Sequence, residues 1–206
     1  LLYQNEVAVG ANSSDTGTII PVGVQIGTGV KAAAVYRITQ QGNLTNTSNP
    51  LDLAIEGHGY FQVQTPDGTT SYTRDGSLQL SATGQLVTAD GYPIQPSITI
   101  PQNTTSVTIN ANGQVMAQVA GQTAPQTVGQ IELANFPNEA GLAQQGKNLL
   151  TETAASGSAT TGNPGTTAFG TIQQGYIETS NVNIVAEITN LISAQRAYEM
   201  NSKVIQ

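Results

Sequence analysis

The sequence predicts a mainly β protein: an antiparallel, hairpin-rich β-domain with an extended N-terminal arm and a C-terminal heptad-patterned α-helix. Three observations carry the prediction. Glycine and Asx turns recur from Gly57 to Asn135, with short β-favouring runs between them. After Asn183 the apolar repeat changes from strand alternation to a heptad seam. Before Thr18 the chain is too polar to hold a core position unaided. The expected divisions are residues 1–31 as arm and connecting strand, 32–176 as β-domain and 177–206 as the start of the terminal helical segment.

In chain order, Leu1 to Thr18 reads as an extended arm, and Val22 to Ile26 and Ala32 to Thr39 read as strands separated by Gly27 and Gly29. Phe61 and Val63 alternate with Gln62 and Gln64, so one face of that strand is apolar. Pro66-Asp67-Gly68 then turns the chain into Thr69 to Thr73, and Asp75-Gly76 opens Ser77 to Leu80, with Leu78 and Leu80 on one face. Thr83-Gly84 leads into Gln85 to Thr88, and Asp90-Gly91 into Tyr92 to Gln95. Asp-Gly and Asn-Gly pairs suit tight turns because their central residues tolerate positive φ, and a meander of antiparallel hairpins follows. Pro96 and Pro101 bracket Ile98 to Ile100 and confine that run to an edge or corner. Val107 and Ile109 alternate up to Asn112-Gly113, and Val115, Ala117 and Val119 alternate beyond it. Val128 to Phe136 reads as one further run, Ala154 to Gly170 as a loop, and Gly175 to Glu178 as a last strand.

The terminal helix is predicted from Asn183, its N-cap, with Glu187 favourably placed in the first turn. Its seam runs through Ile184, Ile188, Leu191, Gln195, Tyr198, Ser202 and Ile205, widened by Val185 and Ile192. No other segment of the chain offers a partner helix, so the seam points to assembly or to pairing with a segment outside this sequence. The alternative is a helix folded back on the sheet. The periodic pattern continues to Gln206 and the chain starts at Leu1, which leads us to expect an excised piece of a longer protein.

Composition narrows the function. Charged residues are 9% of the chain, against about 25% in an ordinary soluble protein, so the surface is neutral and polar. With 6 Lys+Arg against 13 Asp+Glu the chain cannot neutralise a phosphate backbone, which argues against nucleic acid and anionic membranes. The absence of Cys removes disulfides, thiolate metal sites and thiol nucleophiles. No stretch reaches the roughly 20 apolar residues of a membrane span, and no basic-then-apolar secretory signal opens the chain.

Candidate chemistry is sparse. His58 is the single histidine, set between Gly57 and Gly59, and reads as a surface turn position because catalysis needs a positioned partner. Asp67, Asp75 and Asp90 are weighed as a calcium site or a glycosidase pair, but each precedes a glycine where an Asx turn needs it. Arg74 beside Asp75 reads as a structural ion pair or an intersubunit contact, and an exposed pair contributes at most about 1 kcal/mol. Gly23 to Gly29 opens no helix and lacks the lysine and hydroxyl of a phosphate loop. The expectation is therefore no catalytic residue, no cofactor and no metal.

Two separated motifs bear a resemblance. Gly57-His58-Gly59-Tyr60-Phe61-Gln62-Val63, with Tyr72-Thr73-Arg74-Asp75-Gly76-Ser77 and Gly84-Gln85-Leu86-Val87-Thr88, resembles the central signature of the bacterial flagellar rod and hook proteins. Gly175-Tyr176-Ile177-Glu178-Thr179-Ser180-Asn181-Val182-Asn183, followed by Gln195-Arg196-Ala197-Tyr198-Glu199, is similar to that family's carboxy-terminal motif. Within the family, Leu1 to Gln4 and Pro21 to Val30 look most like the distal part of the rod.

The resemblance implies a structural subunit of the distal rod that self-assembles helically into a rigid hollow drive shaft and transmits torque from motor to hook, with no enzymatic activity. It implies partners: itself in a helical tube, the adjacent proximal rod and hook proteins, and the surrounding basal-body rings. It further implies a place in the basal body, in the periplasm-spanning rod, reached by the flagellar type III export pathway. The assembly seam is then Ile184, Ile188, Leu191, Tyr198 and Ile205, and the family-motif residues are Gly57, Gly59, Phe61, Arg74, Asp75, Gly76, Ser180, Asn181 and Arg196. A secreted β-rich binding or adhesion module, and a polysaccharide-active enzyme using Asp or Glu, are the alternatives that composition alone permits.

Overall fold

The structure, a computed structural model, describes residues 2–4, 30–32 and 38–205, with side chains omitted at both ends of that set. The chain divides into two units, Leu1–Ile38 and Thr39–Gln206. The strands in chain order are β1 (Leu2–Gln4), β2 (Val30–Ala32), β3 (Leu44–Asn46), β4 (Leu53–Glu56), β5 (Tyr60–Gln64), β6 (Thr70–Thr73), β7 (Leu78–Leu80), β8 (Leu86–Thr88) and β9 (Ile94–Gln95). They continue with β10 (Thr104–Ile109), β11 (Gln114–Val119), β12 (Gln126–Gln130), β13 (Leu133–Asn135), β14 (Ala143–Gly146), β15 (Leu149–Thr151), β16 (Thr160–Gly162), β17 (Thr171–Gln174) and β18 (Tyr176–Glu178). Among the described residues one α-helix, α1 (Ile184–Ile205), follows β18.

In the first unit β1 pairs antiparallel with β2, Leu2 opposite Ala32 and Gln4 opposite Val30. The predicted strand at Val22 to Ile26 and the remainder of the predicted arm lie outside the described residues. Of the strand expected from Ala32 to Thr39, Ala32 falls in β2, residues 33–37 lie outside the described set, and Thr39 is irregular.

The second unit is built on a sheet ordered β14-β15-β6-β5-β13-β16, with β9 also pairing β5. Alternation along β5 gives this sheet two covered faces. Phe61 and Val63 enter the main core with Leu53, Ile55, Leu133 and Ile172. Tyr60 points to the opposite face, where it forms a smaller cluster with Tyr72, Ala134, Phe136 and Leu142. Phe136 meets both tyrosine rings edge-on, at centroid distances of 6.0 Å from Tyr60 and 4.7 Å from Tyr72. A three-stranded sheet, β10-β11-β12, supplies Val115, Ala117 and Ile109 to the main core.

Every strand pair is antiparallel, as the turn spacing predicted, but the pairing is not a simple meander. β5 binds β6, its hairpin partner, and also β13 and β9, which arrive from distant sequence. Leu78 is buried as expected, whereas Leu80 is 43% exposed. Both face the same way, but β8 is covered on its far side by the Leu86 N–H to Ile98 carbonyl bond of 3.0 Å, and β7 is the outer strand at Leu80. Ile98 and Ile100 form no strand, yet both are buried from a corner between the two prolines.

The run predicted from Val128 to Phe136 breaks in two, β12 and β13, which belong to different sheets. At the corner the Ile131 N–H donates to the Gly113 carbonyl at 2.8 Å, and Gly129 lies so close to Ile98 that a Cβ would stand 2.7 Å from its Cγ1. The hairpin of β14 and β15 and the short β16 were not expected. β14 is exposed throughout, so it carries no apolar alternation to read. β16 falls inside the segment predicted as loop and pairs with β13 from Leu133↔Gly162 to Asn135↔Thr160.

Candidate assembly surfaces

Helix α1 begins where the sequence places its cap. The Ala186 N–H donates to Asn183 Oδ1 at 3.1 Å and the Glu187 N–H to the Asn183 carbonyl at 3.0 Å, satisfying donors that an uncapped first turn leaves open. Ser180 prepares the entry by accepting the Val182 N–H on its hydroxyl at 3.2 Å. Along the helix Thr189 donates to the Val185 carbonyl and Ser193 to the Thr189 carbonyl, so these hydroxyls are satisfied within the helix itself.

The seam has no cover among the described residues. Ile184 is 69% exposed, Ile188 52%, Leu191 69% and Tyr198 75%. Val185 and Met200 are similarly open, and Arg196 is exposed beside the seam. The helix therefore does not fold back on the sheet. The side chain of Ile205 lies outside the described set.

The central motif builds a tight corner. Gly57 and Gly59 adopt φ of 106° and 136°, which other residues avoid, and between them the His58 carbonyl accepts the Gly170 N–H at 2.7 Å. The His58 side chain is 80% exposed, with Nδ1 3.2 Å from Glu139 Oε1, and the Tyr60 hydroxyl donates to the other Glu139 oxygen at 3.1 Å. Phe61 is fully buried next to this corner. Asp75 accepts the Ser77 N–H at 3.0 Å in an Asx turn, as its position before Gly76 predicted. A Cβ on Gly76 would overlap the Leu53 carbonyl oxygen, and the Leu53 N–H donates to the Gly76 carbonyl at 2.9 Å.

Arg74 does not pair with its neighbour Asp75. Its Nε donates to Glu178 Oε2 at 2.8 Å, and the rest of its guanidinium binds main-chain carbonyls of Ile55, Gly57 and Gly59. Both side chains are mostly buried, at 22% and 13% exposure. Sequence proximity suggested Asp75; the strand pairing that brings β18 to this corner selected Glu178 instead. Asp90 likewise has a partner beyond its turn, Lys147 Nζ at 3.4 Å, and Lys147 also stands over the Tyr92 ring at 5.9 Å. Proximity to Asp90 raises the Lys147 pKa above its usual value.

Sequence reasoning missed two residues that hold this region together. Gln41 donates to the Ile55 carbonyl at 2.9 Å and accepts the Gly57 N–H at 3.1 Å. Gln174 accepts the Ile109 N–H at 3.1 Å and donates to the Pro50 and Val107 carbonyls at 2.7 and 3.0 Å. Glutamines in a Gln-rich chain carry no pattern that marks them. Asn181, from the second motif, donates to the Gln40 carbonyl at 2.8 Å.

Among the described residues no three His, Cys, Asp or Glu side chains come together as a metal cluster; Asp75 is engaged in its Asx turn and Asp90 faces Lys147. Among the described residues no helix is long and apolar enough to cross a membrane.

Residues 54–117 match the flagellar hook protein FlgE/F/G D1 domain, and residues 173–206 match the flagellar basal body rod FlgEFG protein C-terminal domain. The chain is 58% identical over 205 residues to the flagellar basal-body rod protein FlgG of Caulobacter vibrioides, covering all of this chain and 78% of that protein. It is 43% identical over 208 residues to FlgG of Borreliella burgdorferi, again across its full length and 78% of the relative. To the flagellar basal-body rod protein FlgF of Escherichia coli it is 36% identical over 171 residues, or 80% of this chain and 66% of that protein.

Proposed function

The chain belongs to the family of flagellar basal-body rod proteins, and from that premise we propose how its surfaces build the distal section of the rod. The protein is a structural subunit of the flagellar basal body and assembles into the rod with other basal-body proteins. In our reading, subunits stack helically into a rigid hollow shaft that carries torque from motor to hook, and the protein performs no chemistry. Residues 177–206 enter the inner layer and residues 32–176 form the outer β-domain. The neighbours are further copies, the proximal rod and hook proteins, and the rings around the rod, with delivery by the flagellar type III pathway.

The observation that carries this reading is the exposed seam of α1. A helix with Ile184, Ile188 and Leu191 open to water on one seam gains most of its stability when a second helix covers it. Covering each large aliphatic side chain contributes roughly 1.5 to 3 kcal/mol. The family-motif residues then serve the shape of the domain: Gly57 and Gly76 admit close backbone approach, Gly59 leaves room for the Leu133 side chain, and Ser180 and Asn181 seat the start of the helix. The test is complementation of a flagellated bacterium lacking its own distal rod subunit. The protein should restore rods and motility, and Leu191→Asp should restore neither while accumulating to the same level. Full motility with the aspartate variant would refute the seam as the assembly surface.

A further inference from the structure

Arg74 sits where the two family-matched segments meet, one covering residues 54–117 and the other 173–206. Its guanidinium uses all three nitrogens. Nε binds Glu178 Oε2 at 2.8 Å, Nη1 binds the Gly57 and Gly59 carbonyls at 3.0 Å each, and Nη2 binds the Ile55 carbonyl at 3.2 Å. Glu178 is the last residue of β18, shortly before the helix cap Asn183. Its second oxygen accepts the Gly42 N–H at 2.8 Å, which ties in the stretch leading into β3. That neighbouring stretch is held along its length: β18 pairs β3 from Tyr176↔Asn46 to Glu178↔Leu44, the Thr179 N–H reaches the Asn43 carbonyl at 2.8 Å, and Asn181 reaches the Gln40 carbonyl. Helix α1, by contrast, is exposed from Ile184 to Lys203, so among the described residues nothing beyond its base sets its direction.

We propose that Arg74 is a positioning residue that, through Glu178, clamps the base of α1 to the β-domain and sets the direction in which the helix leaves. On the rod reading given above, this clamp is the path by which load on the inner helix passes into the outer domain. Arginine is required because its planar fork reaches a carboxylate and three carbonyls at once, whereas a lysine ammonium is a point charge at the end of a flexible stem. The carbonyls of Ile55, Gly57 and Gly59 converge on Arg74 because the two positive-φ glycines fold the corner back on itself.

The absence of cysteine from the chain makes the test direct. Spin labels on cysteines introduced at Asp67, in an exposed turn of the β-domain, and Ala186, in the first helical turn, report the helix direction by pulsed dipolar spectroscopy. The parent should give one narrow distance distribution. Arg74→Lys and Glu178→Gln should each broaden it about twofold or more, while amide exchange at Phe61 and Leu133 in the core changes by less than about twofold. A width unchanged in both variants, or a parent distribution already broad, overturns the proposal. So does core exchange rising as much as the base of the helix loosens, because Arg74 would then stabilise the domain generally. These readouts need no rod, so a failure of complementation would count against the rod reading and leave the clamp to be judged on its own.

Discussion

At Gly76 the requirement is space rather than backbone freedom. A Cβ there would overlap the Leu53 carbonyl and stand 3.1 Å from the Phe61 ring, inside the main core. Gly76→Ala should therefore lower the unfolding free energy by about 3 kcal/mol, the cost of overpacking a filled site. Gly68→Ala is the control. Its Cβ would meet nothing within 4 Å, and only its φ of +78° opposes it, so chemical denaturation should register a loss of about 1 kcal/mol. Tyr72 adds a pH dependence. Burial against Phe136, and secondarily the Glu152 charge, raises its pKa above the usual 10.0. The folded state holds that proton more tightly than the unfolded state, so the contribution is complete below pH 10 and is lost as pH rises through the folded value. Melting temperatures followed into the alkaline range should fall less steeply for Tyr72→Phe than for the parent. Single residues were legible where the cause is local: Asp75 before Gly76 announces its own Asx turn. Arg74 was legible as important and not in its partner, because Glu178 is distant in sequence and only strand pairing brings it near.

Among the elements, β5 and α1 were the clearest in the sequence. Each carries a complete period on one continuous segment, Phe61 and Val63 against Gln62 and Gln64 in the strand, and the heptad seam after an Asn cap in the helix. β14 and β16 were not legible, since a strand of exposed Ala, Gln, Thr and Gly has no apolar side to show. β12 and β13 were read as one run because Val128, Ile131, Leu133 and Phe136 recur along it; the approach of Gly129 to Ile98 accompanies the corner between them. The helix also makes a prediction at this scale. Its exposed apolar side chains contribute nothing to the β-domain, so Leu191→Asp should shift the melting of the isolated protein by less than about 0.5 kcal/mol. Amides of α1 should also exchange far faster than those of β5, as expected for a helix without tertiary cover. A loss of several kcal/mol in the aspartate variant would place Leu191 in a core.

For the whole molecule the governing quantity is charge density. With 9% charged residues and a net charge of -7, identical domains can approach side by side with little repulsion. On the rod reading, the side-by-side contacts through neutral polar faces of the β-domain are heterologous and repeat helically rather than closing on a two-fold axis. Light scattering against concentration, followed by electron microscopy of the assembled material, should show open helical polymers; a closed dimer as the sole species would refute this. The class of the protein was readable along the chain: β-rich with a terminal heptad helix, poor in charge, without cysteine, and bearing two motifs of an axial filament family. These are properties of composition and of local periodicity, which a linear chain displays directly. Folding was needed to settle which strands pair, that Arg74 and Glu178 join the two motifs, and that the seam of α1 is uncovered among the described residues. Each of those depends on contacts between residues far apart in the chain, and local periodicity carries no information about them.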